Sequence, residues 1–272
     1  MWTRAISNCE AEIITSMNFR VGTSGYSFED WRGEFYPASV PKGKMLDYYV
    51  QHFETVEINS TYYRISHPKV AANMVAKAPD GFDFMVKSHA SFTHEREGAA
   101  AARDSYLASI QPFVESGKLA GILAQFPQSF HFTPANLSYT LRGADYFGTA
   151  GKLFVEFRHD SWHSREAYRP ISEAGLGWVS VDLPALPRLP KPDVVISGEV
   201  GYIRFHGRNA QKWHGGGDER YDYNYSRSEL DEWQAKLNRL RNKPKNVYLF
   251  FNNCYRGQAV RNARELIELF KL

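Results

Sequence analysis

The chain has 272 residues, 43% hydrophobic and 15% aromatic, enough to build the core of one large domain or two small ones. A formal charge of +3 is too mild to mark a nucleic-acid-binding protein by composition, and two cysteines, Cys9 and Cys254, make no disulfide framework. No apolar run approaches the roughly 20 residues that span a bilayer, so the expectation is a cytoplasmic protein without a membrane partner.

Residues 1–16, MWTRAISNCEAEIITS, lack a basic segment followed by an apolar stretch. They read as a start-site extension or poorly ordered tail rather than a secretory signal. Met17 precedes the first strand-like segment, so 17–272 is taken as the domain. Strands are predicted at Phe19–Thr23, Thr55–Asn59, Phe82–Lys87, Gly121–Phe126, Leu153–His159, Trp178–Leu183, Tyr202–His206 and Val247–Asn252. Helical periodicity follows most of them, at Lys44–Phe53, Pro68–Ala78, Ala99–Ser116, Pro134–Tyr146, Ser164–Ala174, Arg227–Arg241 and Gln258–Leu269. After the sixth strand, prolines at 184, 187, 190 and 192 predict an irregular crossover, because proline removes donors and fixes φ. This alternation predicts a single α/β domain, a (β/α)8 barrel of the TIM type. A doubly wound sheet is the alternative, but GTSGY after the first strand lacks the G-x-G-x-x-G spacing of its phosphate turn.

Side chains alternate along a strand, and in a barrel the apolar set is expected to face the helices. That rule sends Glu57, Asn59, Lys87, Gln125, Glu156, Arg158, Ser180, Asp182, Arg204, His206 and Asn252 inward, late in their strands. The C-terminal mouth is where such barrels carry their chemistry, and charged groups buried there must be paired or used.

The segments VGTSGYSFEDWRGEFYP, FETVEINSTYYR, LAQFP, VEFRHDSW, VSVDLP, YIRFHGRN and VYLFFNN together resemble the DUF72 (YecE-like) family from about Phe19 to the C-terminus. The resemblance implies a TIM barrel and no particular reaction, since the family's biochemical function is not established.

From the residues themselves, Glu156 and Asp182 on neighbouring strands are the acid/base candidates, with His206 as a proton carrier near neutral pH. Arg158, Arg204 and Lys87 are expected to hold a phosphate or carboxylate. Glu57, Asn59, Gln125 and Asn252 complete the lining, under a rim of Tyr26, Trp31 and Trp213. The leading reading is a metal-independent hydrolase acting on a phosphate-bearing substrate, a nucleic acid or a sugar phosphate, with no cofactor. One alternative is a non-catalytic nucleic-acid-binding protein that uses the basic and aromatic loop RNAQKWHGGGDERYDYNYS. Another is a divalent-metal-dependent isomerase or nuclease built on the mouth carboxylates. A structural alternative is a salt-bridge ring of three acids and three cations.

Overall fold

Short runs of β-branched and aromatic residues, each closed by a turn and a capped helix, form the repeating unit of the fold. The computed structural model describes residues 17–148, 150–215, 217–240 and 244–272; the expected tail at 1–16 and Cys9 lie outside the described residues. The strands are β1 (Asn18–Thr23), β2 (Thr55–Ile58), β3 (Asp83–Lys87), β4 (Leu119–Gln125), β5 (Leu153–Glu156), β6 (Gly177–Asp182), β7 (Val200–Phe205) and β8 (Asn246–Phe251). All neighbouring pairs are parallel, in the order β1-β8-β7-β6-β5-β4-β3-β2. A bridge between Ser24 and Glu57, with Gly25 N donating to Glu57 O at 2.8 Å, draws β1 to β2 and all but closes the ring. The fold is the predicted (β/α)8 barrel.

The helices are α1 (Met45–Tyr49), α2 (Ser60–Tyr63), α3 (Pro68–Lys77), α4 (Ala99–Glu115), α5 (Pro134–Phe147), α6 (Arg165–Glu173), α7 (Arg227–Asn238) and α8 (Gln258–Phe270). Their starts follow from local chemistry. Thr133 and Ser164 each accept a backbone N–H in the first turn, and Ser226 with Glu229 forms a reciprocal capping box. The short α2, directly after β2, was not legible as a helix. No helix lies between β6 and β7, as the four prolines predict. Helix α8 closes the barrel by stacking Phe270 on Phe19 of β1, ring centroids 4.2 Å apart.

Two apolar layers result. The larger lies between strands and helices; the smaller fills the barrel with Met85, Leu123, Phe154, Val179, Val181, Tyr202, Tyr248 and Phe250. Two glycines permit the tight interior. A Cβ on Gly22 would lie 2.3 Å from Thr55 O, and one on Gly177 would lie 2.1 Å from the Phe154 ring. Phe154 is fully buried against Tyr202, so its ring has nowhere to go. Gly177→Ala is therefore expected to cost about 1–3 kcal/mol by overpacking. Urea unfolding checks this, and an unchanged midpoint would mean that the barrel interior yields.

Candidate functional site

The mouth is built by the inward residues that end the strands. On β2, β5 and β7 the inward parity places Glu57, Glu156 and Arg204 in one layer, directly above the apolar interior. Arg204 uses its whole fork there: Nε and Nη2 donate to Glu57 at 2.7 and 2.6 Å, and Nη1 donates to Glu156 at 2.6 Å. The Tyr202 hydroxyl donates to the same Glu57 carboxylate, and Arg158 Nε donates to Glu156. Glu57 and Glu156 are 0% exposed and Arg204 is 1% exposed. Burial pushes the Glu156 carboxyl up, but Arg158, Arg204 and His206 outweigh it and hold it well below the usual carboxylate range. Burial likewise opposes the charge on Arg204, and Glu156 and Glu57 raise its pKa well above the ordinary value.

This layer corrects two expectations. Arg204 was expected to hold an anionic ligand; instead both carboxylates claim it and it forms part of the floor. Glu156, expected as an acid or base, is a paired anion within that floor. Tyr202 was missed, although it shares the inward parity of Arg204 and His206 on β7.

Asp182 requires a larger correction. Val179 and Val181 belong to the barrel interior, so Ser180 and Asp182 point outward on β6. Ser180 Oγ bonds both the N–H and C=O of Val195 in the irregular crossover. Asp182 is fully buried and receives Arg208 Nε and Nη2 at 2.8 and 2.7 Å, together with the Trp233 indole N–H of α7. The rule that apolar side chains face the helices fails on β6 because the crossover and α7 present polar groups there. Glu156 and Asp182 therefore lie on opposite sides of the barrel wall and make no acid/base pair.

His206 is fully buried. Its Nδ1 faces Asn252 Nδ2 at 3.0 Å and Arg158 Nη2 at 3.4 Å. A guanidinium only donates, so Nδ1 accepts and the proton belongs on Nε2, 3.3 Å from Glu156. Burial and Arg158 push its pKa well below 6.5, despite Glu156. His206 is thus neutral near pH 7 and orients Arg158 and Asn252; the expected proton carrier is not placed for that task.

Above the floor stand Arg158, Lys87, Gln125, Asn59 and Asn252. Lys87, at the end of β3, donates to Gln125 Oε1 at 3.0 Å and lies 4.2 Å from the centre of the Tyr62 ring. Among the described residues it forms no ion pair, whereas Arg158 is paired with Glu156. Burial, reinforced by Arg204 and Arg158 and opposed by Glu156 and Glu57, pushes Lys87 down to about 7. His94, beside Tyr62, is pushed down to about 4 by burial, Lys87 and Arg158. Ser24 Oγ and Asn59 Oδ1, one residue beyond β1 and β2, are buried without a hydrogen-bond partner among the described residues, as is His206 Nε2.

The expected aromatic rim is mostly structural. Trp31 is 0% exposed and its indole N–H donates to Cys254 O at 2.7 Å. Tyr26 packs with Tyr49 in the outer core. Trp213 does reach the mouth, 7% exposed above the interior layer, with the Arg158 guanidinium 5.9 Å from its ring centre. Tyr225 of the same loop is buried, and its hydroxyl oxygen accepts the Gly207 N–H at 2.8 Å. His89 and His159, which also follow strand ends, accept the N–H groups of Ser91 and Ser161 in short turns. Among the described residues no group of three or more His, Cys, Asp or Glu is placed to hold a metal ion, and no helix is long and apolar enough to cross a membrane.

A family model described as a protein of unknown function, DUF72, matches residues 20–272. The UPF0759 protein YunF of Bacillus subtilis is 30% identical over 270 residues, covering 93% of this chain and 94% of that protein. A DUF72 family protein from Thermotoga maritima superposes with a TM-score of 0.84 at 36% identity, covering 94% of this chain and 100% of the other. A DUF72 family protein from Enterococcus faecalis superposes at 0.82 with 25% identity, covering 93% and 96%.

Proposed function

Because the chain belongs to the DUF72 family, whose description names no reaction, we propose its function from the site alone: the C-terminal mouth binds a small phosphate- or carboxylate-bearing substrate, with Arg158 and Lys87 as the anion-holding pair. The observation that carries this reading is Lys87, a half-buried cation without a carboxylate partner, beside Arg158 and above a floor whose two acids are already satisfied. Two carboxylates against Arg158, Arg204 and Lys87 leave the mouth short of one negative charge, which an anion supplies. Proton transfer at this site is assigned to Lys87, since burial and neighbouring cations place its pKa near neutrality. Hydrolysis by a carboxylate pair finds no support in the placement of Asp182. Nucleic-acid binding through the loop after β7 is weakened by the burial of Trp213 and Tyr225.

Sulfate titration by calorimetry tests the reading, because sulfate keeps its charge near neutral pH. Lys87 faces Arg204, Arg158, Glu57 and Glu156, with His94 nearby. A bound anion favours the protonated lysine, so affinity is full below about 7 and falls as pH rises through that value. The limiting slope is about tenfold per pH unit, with proton uptake on binding. Glu156 and His206 are shifted out of this window and do not contribute. Absence of sulfate binding at pH 6 would refute the proposal.

A further inference from the structure

We propose that Lys87 is a carbonyl-trapping nucleophile: its Nζ forms an imine with an aldehyde or ketone whose phosphate or carboxylate is held by Arg158. The inference deepens the anion-binding reading and rests on it for the orientation of the substrate.

Imine formation requires an amine that is uncharged for much of the time, reachable, and not tied to a carboxylate. Lys87 meets each condition by its position. It ends β3 at the barrel mouth and is half-buried. Gln125 Oε1 takes one of its hydrogens at 3.0 Å, and the Tyr62 ring covers one side without competing for the lone pair. The acids that could have neutralised it are spent on other partners: Glu57 on Arg204 and Tyr202, and Glu156 on Arg204 and Arg158. Burial and the two guanidinium groups bring its pKa to about 7. Other nucleophile candidates at the mouth are less well served. Ser24 Oγ is buried without a hydrogen-bonded base, and the His206 Nδ1 lone pair is covered by Asn252 and Arg158.

The step balances without an external oxidant or reductant. The neutral amine adds to the carbonyl carbon, one amine hydrogen moves to the oxygen, and a carbinolamine forms. Its hydroxyl then leaves with the second amine hydrogen as water, so the C–O bond breaks while the C=N bond forms.

Trapping by borohydride tests the inference, since hydride converts the imine to a stable secondary amine. The full chain is incubated near neutral pH with glyceraldehyde 3-phosphate or with glyceraldehyde, reduced, digested and mapped by mass spectrometry. The expected result is an adduct at Lys87 formed at least ~10-fold faster than at surface lysines, whose ordinary pKa is about 10.4. The phosphorylated aldehyde should react faster than the uncharged one, and sulfate should slow it. Lys87→Arg should retain sulfate binding and lose the adduct, which separates charge from nucleophilicity. Even labelling of surface lysines with sulfate binding intact would overturn the imine and leave the anion site standing. Rapid labelling of Lys87 by both aldehydes, without sulfate binding or protection, would instead overturn the anion reading and keep the nucleophile.

Discussion

Arg204→Met is expected to lower folding stability by about 3–5 kcal/mol, the range for breaking a buried ion pair by removing one partner. The fork of Arg204 makes three bonds of 2.6–2.7 Å to two carboxylates that are 0% exposed. Glu156 would keep Arg158, but Glu57 would keep only the Tyr202 hydroxyl as a side-chain partner. An uncompensated buried carboxylate takes up a proton rather than remain charged. The loss should therefore shrink as pH falls, because acid supplies the proton that replaces Arg204. Urea unfolding at several pH values measures it. Adding Glu57→Gln to Arg204→Met should recover part of the loss by removing the orphaned charge. A stability unchanged by Arg204→Met, with sulfate binding abolished, would restore Arg204 to the ligand site.

Lys87→Met is expected to do the reverse: sulfate affinity falls by about 10–100-fold, as for a hydrogen bond to a charged group, while the melting temperature does not fall. Folding takes Lys87 from an ordinary 10.5 down to about 7, so the unfolded chain binds more protons between those values. Its charge therefore burdens the folded state fully below about 7, and the burden fades as pH approaches 10.5. Methionine keeps much of the stem volume and removes that burden. The variant should match or exceed the parent in melting temperature at pH 6, with the difference narrowing or reversing at higher pH. Such a trade of stability for binding marks a group kept for function. Thermal unfolding with and without sulfate reads both quantities. Loss of stability at pH 6 with sulfate affinity unchanged would assign Lys87 to the scaffold.

These two variants separate what had looked like one set of cations. In the sequence, Lys87, Arg158 and Arg204 share a signature: a basic residue of inward parity near a strand end. Their environments differ because each guanidinium or ammonium meets different acids across the ring. Arg204 meets two, Arg158 meets one, and Lys87 meets none within ion-pair distance among the described residues. Pairing across a barrel depends on residues as far apart as Glu57 and Arg204, and strand periodicity contains no term for that distance.

β6 shows a second limit. Val179, Ser180, Val181 and Asp182 alternate cleanly, yet alternation defines two faces without saying which is inside. On β2, β5 and β7 the apolar set faces the helices. On β6 it fills the barrel, since Arg208, Trp233 and the Val195 backbone wait outside for polar partners. Trp31 and Tyr26 fail for a related reason: a loop above a barrel can fold back on the outer core as easily as line the mouth.

The sequence alone determined the architecture. Eight short apolar strands, helical periods between them and a proline-rich crossover are local signals, and a parallel barrel is how they bury their apolar faces together. It also located the polar mouth, because inward parity near strand ends follows from period two. Tertiary structure decided which mouth residues are committed and which remain available. That choice depends on burial and on charge pairing between distant strands, and these leave Glu156 a paired anion, His206 a neutral spacer and Lys87 without an acid partner among the described residues.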